Sequence, residues 1–240
     1  MNSTILSRVQ STYAIAATTP GPLFSTLGNS GPTALNQSEF GIGQQQRADN
    51  LYGETTFVCP SYWLASAFAP NLQSSNPGKK AWKYQYSVPP SQHGADFDAY
   101  LAINREALGY KTLSTGFRTA VQMIWGRFII YNDPTLPPSA IKSITTLSNG
   151  TTTGDDITAA GVWPTWERGD AGYKMLNLNM TGGYPTQILW SSADSVKLNI
   201  TQYAEPGLAA KLNVVDAWSW EGGRGERCEF WAEIAKWVPE

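Results

Sequence analysis

An α/β domain is the fold class this sequence predicts, and three observations carry it. Trp82, Tyr84 and Tyr86 alternate with Lys83, Gln85 and Ser87, the period of two that marks a half-buried strand. Beyond a short polar loop, Phe97, Tyr100, Leu101 and Leu108 recur at helical spacing, with Gly109 placed to stop the helix. Phe117, Ala120, Val121, Ile124, Trp125, Phe128 and Ile129 then form the cleanest amphipathic helix in the chain. At 240 residues the chain is long enough for one α/β or β-rich domain with a sizeable core.

Residues 1–43 are rich in Ser, Thr, Gly, Pro and Asn and read as a long loop with one short helical turn near Leu6 to Tyr13. Such a stretch is uncommon inside a compact domain, so it is expected to wrap over another part of the protein. From Gln44 the pattern is helical: Leu51, Thr55, Val58, Tyr62 and Ala65 share a face that Phe57, Leu64 and Phe68 widen. Pro60 must kink or split this helix, because it lacks an N–H and crowds the preceding turn. Pro70 to Lys80 is a polar turn region. The strand from Trp82 ends before Pro89 and Pro90, which cannot donate to a ladder.

After Gly109, Ser114 or Thr115 is available to cap the amphipathic helix, and Asn132-Asp133-Pro134 ends it. Asn149 to Gly161 reads as a flexible loop. Trp163-Pro164 leads to a strand over Lys174 to Asn179, with further short strands at Gln187–Trp190 and Val196–Ile200. A last helix begins near Arg227, with Phe230, Ile234, Trp237 and Val238 on one face.

A formal net charge of −2 leaves no basic footprint for nucleic acid and no polybasic membrane anchor. No stretch is long and apolar enough to span a membrane. Five Asn-x-Ser/Thr sequons stand at Asn2, Asn36, Asn149, Asn179 and Asn199, and with few lysines they favour a secreted, glycosylated protein. MNSTILSRVQ lacks the apolar run of a signal peptide, so the true N-terminus is expected to lie upstream.

The polar loop Ser91-Gln92-His93-Gly94 holds the only histidine in the chain. An imidazole on a short strand-to-helix loop sits where α/β enzymes display a catalytic base. The competing reading is a surface histidine hydrogen-bonded to backbone. Asp96 and Asp98 read as charges favouring a helix N-terminus, or Asp96 holds a supporting hydrogen bond behind the histidine. One histidine and two distant cysteines supply no metal ligand set. No Walker loop or dinucleotide fingerprint appears, and no cofactor is expected. Gly-x-Ser-x-Gly, the nucleophile elbow of serine hydrolases, is also absent; Gly28-Asn29-Ser30-Gly31 has the wrong spacing.

Five blocks nevertheless occur in a telling order. They are Phe57-Val58-Cys59-Pro60; the strand with His93-Gly94-Ala95-Asp96-Phe97; and Ile124-Trp125-Gly126-Arg127-Phe128 with Asn132-Asp133-Pro134. Trp163-Pro164 with Met175-Leu176-Asn177-Leu178-Asn179, then Arg227-Cys228-Glu229-Phe230-Trp231, complete the set. In this order they resemble the C-terminal part of type-B carboxylesterases, most of all the secreted fungal esterases and lipases. The resemblance covers residues 44–240, following the loop-rich segment 1–43.

It implies the C-terminal portion of an α/β-hydrolase fold, with mixed-sheet edge strands plus helices and the N-terminal half missing. It gives His93 the role of triad base, taking the serine proton during attack on an ester carbonyl and passing it to the leaving alcohol. It also implies that Cys59 and Cys228 are bridged; a loop that long adds at most ~5 kcal/mol. The partners it implies are an ester substrate and the missing half of the same domain. This sequence departs from the family in lacking the nucleophile serine, the oxyanion hole and the acid. Glu39 and Glu54 lie upstream of His93, but neither stands in the family's acid motif. The polar face of Trp82–Ser87 fits a strand near a sheet edge rather than at its centre.

The expectation is therefore a part of a secreted carboxylic-ester hydrolase that supplies His93 and is inactive as a lone chain. The alternative is a non-catalytic binding protein on a remnant hydrolase fold. In that reading Trp163, Trp166, Trp218 and Trp220 stack on glycans or meet a protein partner.

Overall fold

The computed structural model describes residues 3–13, 15, 43–69, 79–88, 91, 93–101, 113–167, 172–191 and 197–237. Leu108, Gly109, Pro89, Pro90 and Val238 lie outside them, as do Asn2, Asn36, Glu39 and the Gly28–Gly31 stretch. The architecture is mixed α/β, divided into two compact units. One unit comprises Met1–Lys83, Thr165–Lys174 and Asp216–Glu240; the other comprises Tyr84–Pro164 and Met175–Val215.

The first unit is helical. Helix α1 spans Ser3–Thr12, longer than the single turn expected there, and buries Ile5 and Val9. Helix α2, Gly43–Gly53, runs through a π-helical turn, Glu54–Val58, into α3, Cys59–Phe68. Pro60 falls in the first turn of α3 and has no N–H to offer the carbonyl of Thr56. The widened turn just before it, closed by the Cys59 N–H on Glu54 O, splits the helix. That extra residue rotates the helix: Glu54, Cys59, Tyr62 and Ala65 are buried. Phe57, Leu64 and Phe68, expected to widen the buried face, are exposed instead.

Helix α7, Trp220–Ile234, begins with three residues in the left-handed region, Glu221, Gly222 and Gly223, before true helical geometry sets in. Gly225 is demanded by packing, since a Cβ there would lie 2.3 Å from Cδ2 of Trp218. Phe230 and Ile234 are buried as the spacing predicts, but Trp237, in a terminal 3-10 turn, is 54% exposed. The Cys59–Cys228 disulfide, with an S–S distance of 2.01 Å, joins α3 to α7.

A buried ionic cluster runs beside that disulfide. Arg227 donates from Nε to Glu54 Oε2 at 2.8 Å and from Nη2 to Oε1 at 2.6 Å, a two-pronged pair. Its remaining donors reach the carbonyls of Gly222 and Glu221, each at 3.0 Å. The Tyr13 hydroxyl donates to Glu54 Oε2 at 2.6 Å and accepts from Trp231 Nε1 at 2.8 Å. Burial and the Glu54 charge hold the Tyr13 phenol well above its ordinary range. Arg47 anchors the same corner by donating to the carbonyls of Tyr13 and Gln10.

The second unit carries a three-stranded mixed sheet of order β1-β2-β3: β1 Tyr84–Tyr86, β2 Lys174–Ser191 and β3 Lys197–Asp216. Strand β1 is shorter than the alternation suggested and runs parallel to β2, with Tyr84 opposite Leu176 and Tyr86 opposite Leu178. Met175, Leu176, Asn177 and Leu178 are all buried, so β2 is covered on both faces where it meets β1. β1 is half-buried and lies at the edge of the described sheet. β2 and β3 both extend well beyond the short strands expected at Lys174–Asn179, Gln187–Trp190 and Val196–Ile200.

A four-residue helix, α4 (Phe97–Tyr100), precedes α5 (Thr115–Tyr131), whose N-cap is Ser114: its Oγ accepts from the Phe117 N–H at 3.2 Å. Phe117, Ala120, Val121 and Ile124 are buried, yet Phe128 and Ile129, expected on that face, are 41% and 75% exposed. Asn132 ends α5 in the left-handed conformation. Helix α6, Pro138–Thr145, was not anticipated; Pro138 in its first turn and buried Ala140 and Ile144 one turn apart are its signals.

The stretch Asn149–Gly161 is anchored rather than free. Thr152 bridges Thr146, Asp156 bridges Lys211, and Asp155 Oδ1 accepts from the Ala210 N–H at 2.7 Å. Ala160 is fully buried in a 3-10 turn over Thr158–Gly161, as is Ile157 just before it.

Replacing Glu54 with Gln leaves the buried Arg227 guanidinium without a countercharge. It is expected to lower the unfolding free energy by about 3 kcal/mol or more. Denaturant unfolding of the oxidised protein measures this, and a loss below about 1 kcal/mol would show that the cluster is not a keystone.

Candidate functional site

The site is built from the turn that follows β1. Ser87 extends the ladder by one bond, donating its N–H to Leu178 O at 2.9 Å. Its hydroxyl donates to Asn177 Oδ1 at 2.6 Å, which satisfies two buried polar side chains at once. Val88 is buried and its carbonyl accepts from both the N–H and the Oγ of Ser91, at 2.8 and 2.9 Å. Ser91 and Gly94 adopt positive φ, 51° and 78°, and residues 93–96 form a turn. His93 lies exposed in this turn, just past the carboxyl end of a parallel strand.

Asp96 is oriented by a residue the sequence reading did not single out. The Tyr84 hydroxyl donates to Asp96 Oδ2 at 2.7 Å, tying the turn back to β1. Burial, then the Asp96 carboxylate, push the Tyr84 phenol far above its ordinary range, so Tyr84 stays a donor at any physiological pH. Tyr84 packs edge-on against Trp125, which also meets Tyr100, whose other neighbour is Phe97. The arrangement is a histidine-bearing turn walled by aromatic rings. The signal for Tyr84 was present in the alternation that put it on one face with Tyr86, but nothing local announced a carboxylate twelve residues on.

The other expected site residues fall elsewhere. Cys59 and Cys228 are bonded to one another in the first unit, and Glu54 is committed to Arg227. Asn149 is exposed in a turn, its Oδ1 accepting from the Thr151 N–H. Asn179 is half-buried within β2 and its Oδ1 accepts from the Met180 N–H. Asn199 lies on β3. Trp163, Trp166 and Trp220 are buried, and Trp218 packs on Tyr173 with ring centroids 4.7 Å apart. Trp163, Trp166 and Trp220 thus serve internal packing, while Trp218 is half-buried. Among the described residues, no three His, Cys, Asp or Glu side chains gather as a metal site. No helix among them is long and apolar enough to cross a membrane.

No protein-family model, curated protein or solved structure matches the chain.

Two outcomes follow from this geometry. Tyr84→Phe removes the donor to Asp96 and is expected to speed amide exchange over residues 94–100 by about 10-fold, the effect of losing one charge-assisted hydrogen bond; unchanged exchange would mean that other contacts hold the turn. In protein recovered from its natural source, Asn149 is expected to carry the glycan and Asn179 none. Enzymatic deglycosylation with peptide mapping reads this as an Asn-to-Asp mass change, and the reverse pattern would contradict it.

Proposed function

We propose that this chain is a part of a secreted carboxylic-ester hydrolase, and that His93 is the base of its catalytic triad. The observation that carries this reading is the position of His93, exposed on a tight turn beyond the carboxyl end of parallel strand β1. Ligands of open α/β sheets bind outside the carboxyl ends of their strands. In the proposed reaction the imidazole takes the proton of a serine hydroxyl as it attacks the ester carbonyl. It then returns that proton to the departing alcohol. Asp96, held by Tyr84, fixes the turn and so positions His93.

The serine, the oxyanion donors and the acid come, in this reading, from polypeptide outside these 240 residues, because no Gly-x-Ser-x-Gly occurs within them. Two features support such a missing portion. β1 stands at the edge of the described sheet, and the last turn of α5 exposes Phe128, Ile129, Ile130 and Tyr131 together. The disulfide and the exposed sequon at Asn149 support a secreted setting. The isolated 240 residues are expected to be inactive, since nucleophile and oxyanion hole supply most of the rate enhancement.

The test uses the longest natural polypeptide that contains this chain. His93→Ala is expected to lower kcat for a p-nitrophenyl ester by about 10³-fold or more while KM changes little. Turnover retained within a few-fold of the parent would overturn the role given to His93.

A further inference from the structure

Lys83 stands apart from the other lysines whose side chains the structure describes. Its Nζ donates to Ser61 Oγ at 2.8 Å and lies 4.6 Å from the centroid of the Tyr62 ring. Ser61 in turn donates to Val58 O at 2.6 Å, and the Tyr62 hydroxyl donates to Ala217 O at 2.8 Å, so both neighbours are fixed by backbone. Among the described residues no carboxylate pairs with Lys83, whereas Lys174 and Lys211 each hold an aspartate, at 2.9 and 2.6 Å.

A like charge, Arg224, acts on Lys83. Behind it lies the buried cluster: Glu54 Oε1 is 3.8 Å from Arg224 Nε, and Glu54 also holds Arg227, which the Glu221 charge supports. The Glu54 carboxylate is thus engaged with guanidinium groups rather than with the amine. Lys83 and Ser61 are both half-buried.

We propose that Lys83 is a nucleophilic amine that condenses with small aldehydes to form an imine. The lone pair of Nζ adds to the carbonyl carbon, and a proton lost from nitrogen passes to the carbonyl oxygen. Water then leaves as the C=N bond forms. No electrons are gained or lost overall. The Ser61 hydroxyl, already within hydrogen-bonding distance of Nζ, is placed to relay the proton. The Tyr62 ring, which now faces the ammonium, also suits the protonated imine, since both are cations that an aromatic face attracts. Burial, then the Arg224 charge, lower the Lys83 amine to about 7, so a large share is neutral at physiological pH. An ordinary lysine near 10.4 is less than about 0.1% neutral there.

The experiment is reductive alkylation of the folded, oxidised protein by limiting formaldehyde with cyanoborohydride, followed by peptide mapping. At pH 7 Lys83 is expected to be alkylated at least about 10-fold faster than the exposed Lys142 and Lys236. Its rate should level off just above pH 7, while theirs still climbs at pH 9. In 6 M guanidinium chloride the advantage should vanish. Alkylation of Lys83 no faster than that of Lys142, or an advantage that survives unfolding, would overturn the proposal. Because the readout is amine reactivity, it stands or falls independently of ester hydrolysis and of His93.

Discussion

The first unit depends on one constraint: a carboxylate and a guanidinium buried together and satisfied almost completely. Glu54 and Arg227 are 6% and 5% exposed, so each ion would be severely destabilised without the other. Their two-pronged geometry needs Glu54 on the inner side of its helix, and the π turn before Pro60 puts it there. The same rotation brings Cys59 inward toward Cys228, the residue that follows Arg227. Covalent bond and ion pair therefore join the same two helical segments side by side. The ion pair adds directional hydrogen bonds that the disulfide cannot supply. Tyr13 extends the cluster to the end of α1 by bonding both Glu54 and Trp231.

How much of this was legible follows from what periodicity can and cannot encode. The amphipathic run from Phe117, its capping Ser114 and its stop at Asn132 were readable, because capping chemistry and 3.6-residue spacing are local. The face of the helix from Gln44 was misphased. A pattern of 3.6 cannot register one inserted residue, so Thr55 and Val58 were assigned inward where Glu54 and Cys59 lie. Burying a glutamate also runs against composition rules, and only its distant arginine makes it tolerable. The stretch from Asn149 to Gly161 was read as loose because Thr, Gly and Asp dominate it. Those same side chains pin it, through Asp155 to Ala210 and Asp156 to Lys211.

At the candidate site the histidine was legible and its scaffold was not. A lone imidazole between a strand and a helix draws notice from sequence alone, as does the pair of prolines that ends the strand. The tether from Tyr84 to Asp96 depends on how tightly the chain turns at Ser91 and Gly94, which sequence separation does not give. The tryptophans taught the opposite lesson. Trp163, Trp166, Trp218 and Trp220 fit either packing or ligand stacking from sequence alone, and Trp163, Trp166 and Trp220 are buried.

The apolar end of α5 is exposed, and β1 lies at the edge of the described sheet. A short edge strand is unremarkable, and scattered surface apolar residues need no explanation. But α5 packs against α4, the helix that directly follows the His93 turn, and then continues into four consecutive exposed apolar side chains, Phe128 to Tyr131. Such a run has a large free-energy incentive to be covered, at roughly 25 cal/mol per Å² of apolar surface removed from water. That incentive is the physical argument behind the proposed reading, in which further polypeptide covers this run.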